Sequence, residues 1–436
     1  MLILAGVTIA TLTGDNGILT RANDAKERTE EASLEEKIKL LATETVINQY
    51  TGENEEKTAQ ELQDELNNQG ENVLVVQWDK YIIFDLNENK EYRVLNNGNI
   101  DYFGENNLGT VLKNTKSSNP EQKDERNFGK IAIGEDGSLV NLDLWKYKKT
   151  NIGTFELSDG TTNGYINNFE DENGNKINNI VNGQIKGVVP AYISENLGES
   201  WISITSMGTT FMDNTELVYA PQIPTTITFM GYTFLRASKL EEAPKEIPRY
   251  VTSLEYAFAD CTNLNTIPMF KGDNILNLDQ AFRNTLIEEV PELPNNITSM
   301  VGTFSGCSKL QKVINLPKEL INMKNTFQNC IMLQQIPLIP EKVENMESTF
   351  SGCSILESTE NNIIIPNTVK NMVYTFARCT NLIGRIEINA NPDNYTGCFN
   401  LCSINSSEDL ILFGNSNLLN ELLNTKSANS NITTEE

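Results

Sequence analysis

Between residues 201 and 403 the apolar positions fall into one pattern that returns nine times. Its marker is phenylalanine: Phe211, Phe234, Phe258, Phe282, Phe304, Phe327, Phe350, Phe376 and Phe399, spaced by 23, 24, 24, 22, 23, 23, 26 and 23 residues. Four residues before the marker stands Met207, Met230, Leu254, Leu278, Met300, Met323, Met346, Met372 or Tyr395. Six residues after it stands Leu217, Leu240, Leu264, Leu310, Leu333, Leu356 or Leu382. A single unit of this length cannot bury its own apolar face, but stacked copies can, so the period predicts a solenoid with short parallel strands about 5 Å apart. The fixed offsets then become buried ladders. A small residue precedes each marker (Thr210, Thr233, Ala257, Ala281, Thr303, Thr326, Thr349 and Thr375), as a tight corner requires. The Ala-Pro, Ile-Pro or Val-Pro that closes most units belongs at a strand end, because proline donates no ladder bond.

The chain before and after the repeats is patterned differently. Ala22, Ala25, Ala32, Ile38 and Leu41 recur at helical spacing between charges, and residues 1–34 are expected to form an N-terminal helix. Residues 35–104 read as a small α+β unit: a helix from Thr58 to Asn68, then strands at Val73–Trp78, Tyr81–Leu86 and Tyr92–Leu95. Residues 105–128 are polar and unpatterned, a linker. Residues 129–202 are rich in strand signals and Gly-Asp-Asn turns, either an independent β-rich domain or the N-terminal cap of the solenoid. Residues 404–424 are expected to cap the other end, and 425–436 to form a disordered tail.

Two stretches resemble known families. The pattern M-x-x-T-F-x-x-C-x-x-L-x-x-I-P over residues 201–403 resembles the BspA-like leucine-rich repeats of bacterial surface proteins, whose unit carries A-F-x-x-C-x-x-L. The period also lies within the leucine-rich-repeat range. The fold class that follows is an α/β repeat: a leucine-rich-repeat-like solenoid of about nine 22–26-residue units at residues 203–403. It is preceded by an N-terminal helix, a small α+β head and a β-rich segment. The segment from Leu2 to Ala42 resembles the membrane-exit half of a type IV pilin-like N-terminal helix. It lacks that family's leader, peptidase glycine and about ten further apolar residues. The resemblance therefore implies a membrane anchor that is incomplete in this chain.

Chemistry narrows the picture further. The sequence has no histidine, which removes the commonest general base and most zinc and haem ligand sets. Its formal net charge of −25 argues against nucleic acid and against an anionic lipid surface. Cys261, Cys307, Cys330, Cys353, Cys379 and Cys402 all lie three residues after the marker. The same slot holds Asn214 and Ala237 in the first two units and reads as deleted in the fourth. A nucleophile or metal ligand would not tolerate such replacement, so these are expected to be buried thiols acting as small hydrophobes. Disulfides between adjacent rungs are conceivable only with facing Cβ vectors. Cys398-x-x-x-Cys402 has the look of a zinc half-site without a second half. Asp171, Asn173 and Asn175 begin like a calcium loop, but the glycine and the twelfth position are wrong, and a hairpin turn is the plainer reading.

No catalytic, metal or cofactor residue is therefore assigned; the ladder residues named above are structural. The leading functional expectation is a non-catalytic cell-surface protein whose solenoid binds a protein or glycan partner, adhesin-like, as the BspA-like resemblance implies. Lys309, Gln311, Lys312, Gln334, Gln335, Glu241 and Glu242 fall between ladder positions and are candidate surface residues. The alternatives are a pilin-like structural subunit of a surface filament and, more remotely, a glycan-active enzyme using Asp and Glu pairs in residues 129–202. Any membrane association would run through the N-terminal anchor.

Overall fold

The computed structural model describes residues 33–40, 43, 57–115, 131–140, 200–357 and 363–435, with shorter runs between 145 and 195. The chain divides into two units: residues 1–131 with 152–154 and 193–203, and residues 132–151 with 155–192 and 204–436. Of the region read as a pilin-like helix, residues 1–32 lie outside the described residues, as do Asp171 to Asn175. The strands flanking that turn, Phe169–Glu170 and Lys176–Ile177, pair antiparallel.

In the first unit, residues 34–40 are helical and α1 spans Ala59–Asn68. Thr58 starts α1 with a reciprocal capping box: its hydroxyl accepts from the Glu61 backbone N–H while the Glu61 carboxylate accepts from the Thr58 N–H. A four-stranded antiparallel meander follows, β1 (Val73–Gln77), β2 (Tyr81–Asp85), β3 (Lys90–Val94) and β4 (Ile100–Glu105). Alternation places Val73, Val75, Tyr81, Ile83, Tyr92 and Val94 on one face, against Leu34 and Ile38 of the helical stretch and Leu62 and Leu66 of α1. Lys37 ties the same helical stretch down through an ion pair with Glu71 at 2.5 Å.

Two expectations are corrected in this unit. The meander has a fourth strand, β4, and part of the expected linker is α2 (Leu108–Asn114). Leu108 and Leu112, four apart, are both buried, and Gly109 lies so close to Phe84 that a Cβ there would sit 2.4 Å from it. This one i, i+4 pair is easily lost among the polar residues around it.

The second unit is the solenoid with both of its ends closed. Within residues 201–403 none of the described residues is helical; each turn is built of tight turns and parallel bridges. One column of bridges runs through Ser253, Asn277, Ser299, Asn322, Asn345, Asn371 and Asn394. A second includes Glu246–Ile247 with Met269–Phe270 and Glu289–Val290 with Lys312–Val313. The nine phenylalanines bound eight turns.

Residues 132–192 close the first turn. Phe155 and Glu156 pair parallel with Ile204 and Ser206, and Trp145 meets Phe211 edge-on with ring centroids 6.4 Å apart. The Gly183 carbonyl accepts from the N–H groups of Val218 and Tyr219 at 2.8 and 3.0 Å.

The far end closes with a four-stranded parallel sheet, Ile363–Ile365, Gly384–Ile388, Leu410–Gly414 and Ile432–Thr434, and with α3 (Ser416–Leu423). The expected disordered tail is thus ordered through residue 435. Ile432 is buried on the sheet, and the hydroxyls of Thr425 and Ser427 accept from the N–H groups of Phe399 and Leu401 at 3.2 and 2.9 Å. In every other turn the N–H of the marker phenylalanine donates to the turn that follows; the last turn has none, and the tail supplies the missing acceptors.

Candidate functional site

The marker phenylalanines form one continuous stack. Neighbouring ring centroids are 5.1–5.9 Å apart and the rings are within 12° of parallel from Phe211 to Phe399. All nine are buried. The methionine and leucine columns flank them, also buried.

The cysteine column is chemically quiet and better placed than a mere space-filler. The Sγ of Cys261, Cys307, Cys330, Cys353 and Cys379 each donates to the carbonyl of the phenylalanine one turn earlier, at 3.0–3.1 Å. Cys402 is buried in the same column, and all seven cysteines are free thiols. Burial pushes every one of these thiols upward, Cys307 to about 11 and Cys353 and Cys398 to about 12. A thiolate is the reactive form, so none is a nucleophile near neutral pH.

The slot in the fourth unit is not deleted. Thr285 occupies it, and its hydroxyl donates to the Phe282 carbonyl at 2.8 Å and meets the Sγ of Cys307 at 3.3 Å. The shortening of that unit falls after the slot. Across the turns the slot thus takes a small residue: cysteine, threonine, alanine (Ala237) or asparagine (Asn214), all buried. Cys398 is also explained. It immediately precedes Phe399 and so belongs to the threonine column, not to a metal pair with Cys402. Among the described residues no group of three or more His, Cys, Asp or Glu side chains is placed to hold a metal ion.

The threonine column does more than turn a corner. Thr303, Thr326, Thr349 and Thr375 donate their buried hydroxyls to the carbonyls of Leu278, Met300, Met323 and Met346 in the preceding turn, at 2.7–2.9 Å. Asparagine forms a further column. Asn277, Asn322, Asn345 and Asn371 accept, through Oδ1, the N–H two residues on, an Asx turn repeated along the solenoid.

Two columns flanking the phenylalanines have left-handed backbone. Two residues after the marker, Asp213, Arg236, Asp260, Asn284, Asn329, Arg378 and Leu401 have φ of 55–61°. Two residues before it, Tyr232, Tyr256, Gln280, Asn325, Ser348 and Tyr374 have φ of 53–65°. Glycine stands at the remaining places in some turns. At Gly306 an added Cβ would fall 2.0 Å from the Asn284 Oδ1 that lies over it. The inter-turn ladder imposes the conformation: the N–H of each such residue, from Tyr232 to Arg378, donates to a carbonyl of the next turn. Side chains in these columns point along the solenoid toward their counterparts. Arg236 pairs with Asp213, Arg283 with Asp260, and the rings of Tyr232 and Tyr256 stack 5.2 Å apart.

The outer surface carries more acid–base pairs one turn apart: Lys271–Glu246, Lys312–Glu289, Lys324–Glu347, Lys342–Glu319 and Lys370–Glu344. All seven candidate surface residues, Glu241, Glu242, Lys309, Gln311, Lys312, Gln334 and Gln335, are exposed, and Lys312 is engaged with Glu289.

This geometry is a stack of like rungs, the class of a repeat solenoid. Comparison with known proteins agrees. The model for the BspA type leucine rich repeat region matches six copies over residues 196–302, 228–357 and 279–405. Residues 196–405 are thus similar to the BspA type leucine rich repeat region. A crystal structure of a leucine-rich repeat protein from Bacteroides ovatus is similar at 19% identity and a TM-score of 0.39, covering 67% of this chain and 77% of that one. The crystal structure of the pneumococcal vaccine antigen PcpA is similar at 13% identity and a TM-score of 0.23, covering 70% of this chain and 100% of that one. No curated protein matches. Among the described residues no helix is long and apolar enough to cross a membrane.

Proposed function

We propose that the protein is a non-catalytic bacterial surface protein whose solenoid binds a protein or glycan partner. The observation that carries this reading is the division of labour along each turn. The recurring apolar, threonine and cysteine positions are consumed by buried ladders, and the thiols in those ladders are held neutral. What varies from turn to turn is the outward-facing chemistry, displayed at a regular pitch on a rigid stack, which suits recognition of an extended partner. The test is a binding screen of the full chain against matrix proteins and glycans, with a glycan-hydrolysis assay beside it. Saturable binding without turnover is the expected result. Turnover abolished by one Asp or Glu substitution would replace this reading with an enzyme, and no binding to any partner would remove it.

A second role, as a membrane-anchored or filament-borne protein, draws support from the first unit. The helical residues 34–40 contribute Leu34 and Ile38 to its core, so whatever holds the N-terminal segment also holds the head. Fractionation of the producing cells checks it: the anchored reading expects the protein in the envelope fraction and fails if it is recovered free in the medium.

A further inference from the structure

Three aromatic residues cluster in two adjacent turns, one of them, Phe229, in a column that otherwise holds serine or asparagine. Tyr232 and Tyr256 sit side by side in left-handed backbone, at φ 65° and 54°, in a column that elsewhere holds Gln280, Gly302, Asn325, Ser348, Tyr374 and Gly397, so only here do two rings fall in consecutive turns. A bulky residue is the least suited to this conformation, and nothing in the ladder asks for it, because only the backbone N–H is used. Phe229 stands in the Ser/Asn column, where other turns place an oxygen that accepts the N–H two residues on. Its ring is exposed and lies across Gly231, so closely that an added Cβ would come 2.5 Å from Cζ. Strained or rule-breaking side chains that the fold does not need are pointers to function.

The surroundings define what such a patch would take. The Tyr232 and Tyr256 rings stack within 8° of parallel. The Arg283 guanidinium lies 5.7 Å from the Tyr256 ring, on the side of the next turn, and is itself paired with Asp260. In the other direction the column continues to Thr209, not to a third ring. Glu255 lies 3.5 Å from the Tyr232 hydroxyl, and burial together with Glu255 holds that phenol above its usual range, so it remains a neutral hydrogen-bond donor. On this face of the second to fourth turns the remaining outward groups are hydroxyls, amides, the carboxylates of Glu255 and Asp279 and the exposed side chain of Leu276, with no base among residues 228–232, 252–256 and 276–280. Aromatic surface beside carboxylates and amides suits a ligand with apolar C–H faces and many hydroxyl donors. The one cation beside the rings, Arg283, is already paired with Asp260, and within a chain of net charge −25 this disfavours an anionic one.

We propose that Phe229, Tyr232 and Tyr256, with Glu255, form a binding site for an uncharged glycan on the N-terminal half of the solenoid. The site rests on the binding reading above and names its ligand class and place.

The experiment applies the full chain to immobilised neutral oligosaccharides (glucose, mannose, galactose and N-acetylglucosamine oligomers), with sulfated and sialylated glycans and matrix proteins on the same array. The doubly substituted Tyr232→Asn, Tyr256→Asn chain is compared with wild type and with Tyr374→Asn, a tyrosine of the same column five turns beyond Tyr256. Asparagine is native to this column, so melting temperature is expected to hold or rise in both variants. The site predicts binding to a neutral oligosaccharide, weakened at least tenfold by the double substitution and by Phe229→Ser, and unchanged by Tyr374→Asn. Glycan binding indifferent to the double substitution, binding confined to anionic glycans, or loss of a protein partner instead of a glycan would each overturn the site while leaving a binding solenoid. Absence of every partner from the array would overturn both readings.

Discussion

At the scale of single residues, the two most informative positions are the thiol slot and the left-handed slots. The thiols are protonated and hydrogen-bonded in the folded chain, whereas in the unfolded chain they titrate near their ordinary value of 9.0. Above that pH the unfolded state holds fewer protons than the native one, so stability falls as pH rises toward the folded values. Each thiol contributes a slope of about 1.4 kcal/mol per pH unit in that window. The expected outcome is a urea midpoint steady below about pH 8 that drops steeply between about pH 9 and 11. Cys353→Ala should make that drop shallower. The left-handed slots give the opposite kind of handle. Arg378 is exposed with φ 61°, so Arg378→Gly is expected to raise stability by up to about 1 kcal/mol, read by chemical denaturation. A fall would mean that the guanidinium contributes more than the backbone conformation costs.

At the scale of elements, the phenylalanine stack is the part of the fold with the most to lose. Phe327 is buried between Phe304 and Phe350, with centroids 5.9 and 5.7 Å away, in a column that cannot collapse without moving both neighbours. Phe327→Ala is expected to cost about 3–5 kcal/mol in an equilibrium denaturation series. The C-terminal closure makes a sharper claim. Thr425→Ala with Ser427→Ala removes the acceptors of two N–H groups at this end, and about 1–3 kcal/mol of stability should go with the part-buried Phe399 group, the exposed Leu401 group being left to water. Hydrogen exchange at Phe399 and Leu401 checks it, since those amides should lose protection first.

These same elements show what can and cannot be read from the chain. The phenylalanine, methionine, leucine and cysteine columns are legible because a buried ladder narrows the choice of side chain, and the narrowing repeats. The left-handed columns are not, because tyrosine, arginine, glutamine, serine and leucine all occupy them. There the inter-turn ladder, not the residue, sets φ. Residue type alone misplaces Thr285 and Cys398, because their columns select small size. Asparagine is so abundant throughout the chain that its column of Asx turns does not stand out. The aromatic patch carries a signal in sequence, Phe229 in a serine and asparagine column beside two consecutive tyrosines, but only knowledge of the columns makes it visible.

At the scale of the whole molecule, charge is the organising quantity. The inter-turn pairs, such as Lys312–Glu289 and Lys271–Glu246, are solvent-exposed, and pairs of that kind contribute about 0–1 kcal/mol each. Against them stands the self-repulsion of a net −25. Salt screens both, and the repulsion outweighs the pairs. The denaturation midpoint is therefore expected to rise between about 20 and 500 mM NaCl; a fall would show that the paired rows dominate.

The constant pitch of the ring stack has a consequence for how such a chain is inherited. Each rung presents to its neighbours the same surface that it receives, so a segment cut at equivalent positions leaves ends that already match. Joining Asn322 to Met346 would delete one 23-residue rung and bring Phe350 onto Phe304, with asparagine and methionine still in their columns. Slippage between homologous stretches of its coding DNA would thus lengthen or shorten the molecule in whole rungs, leaving the terminal closures and the aromatic turns untouched.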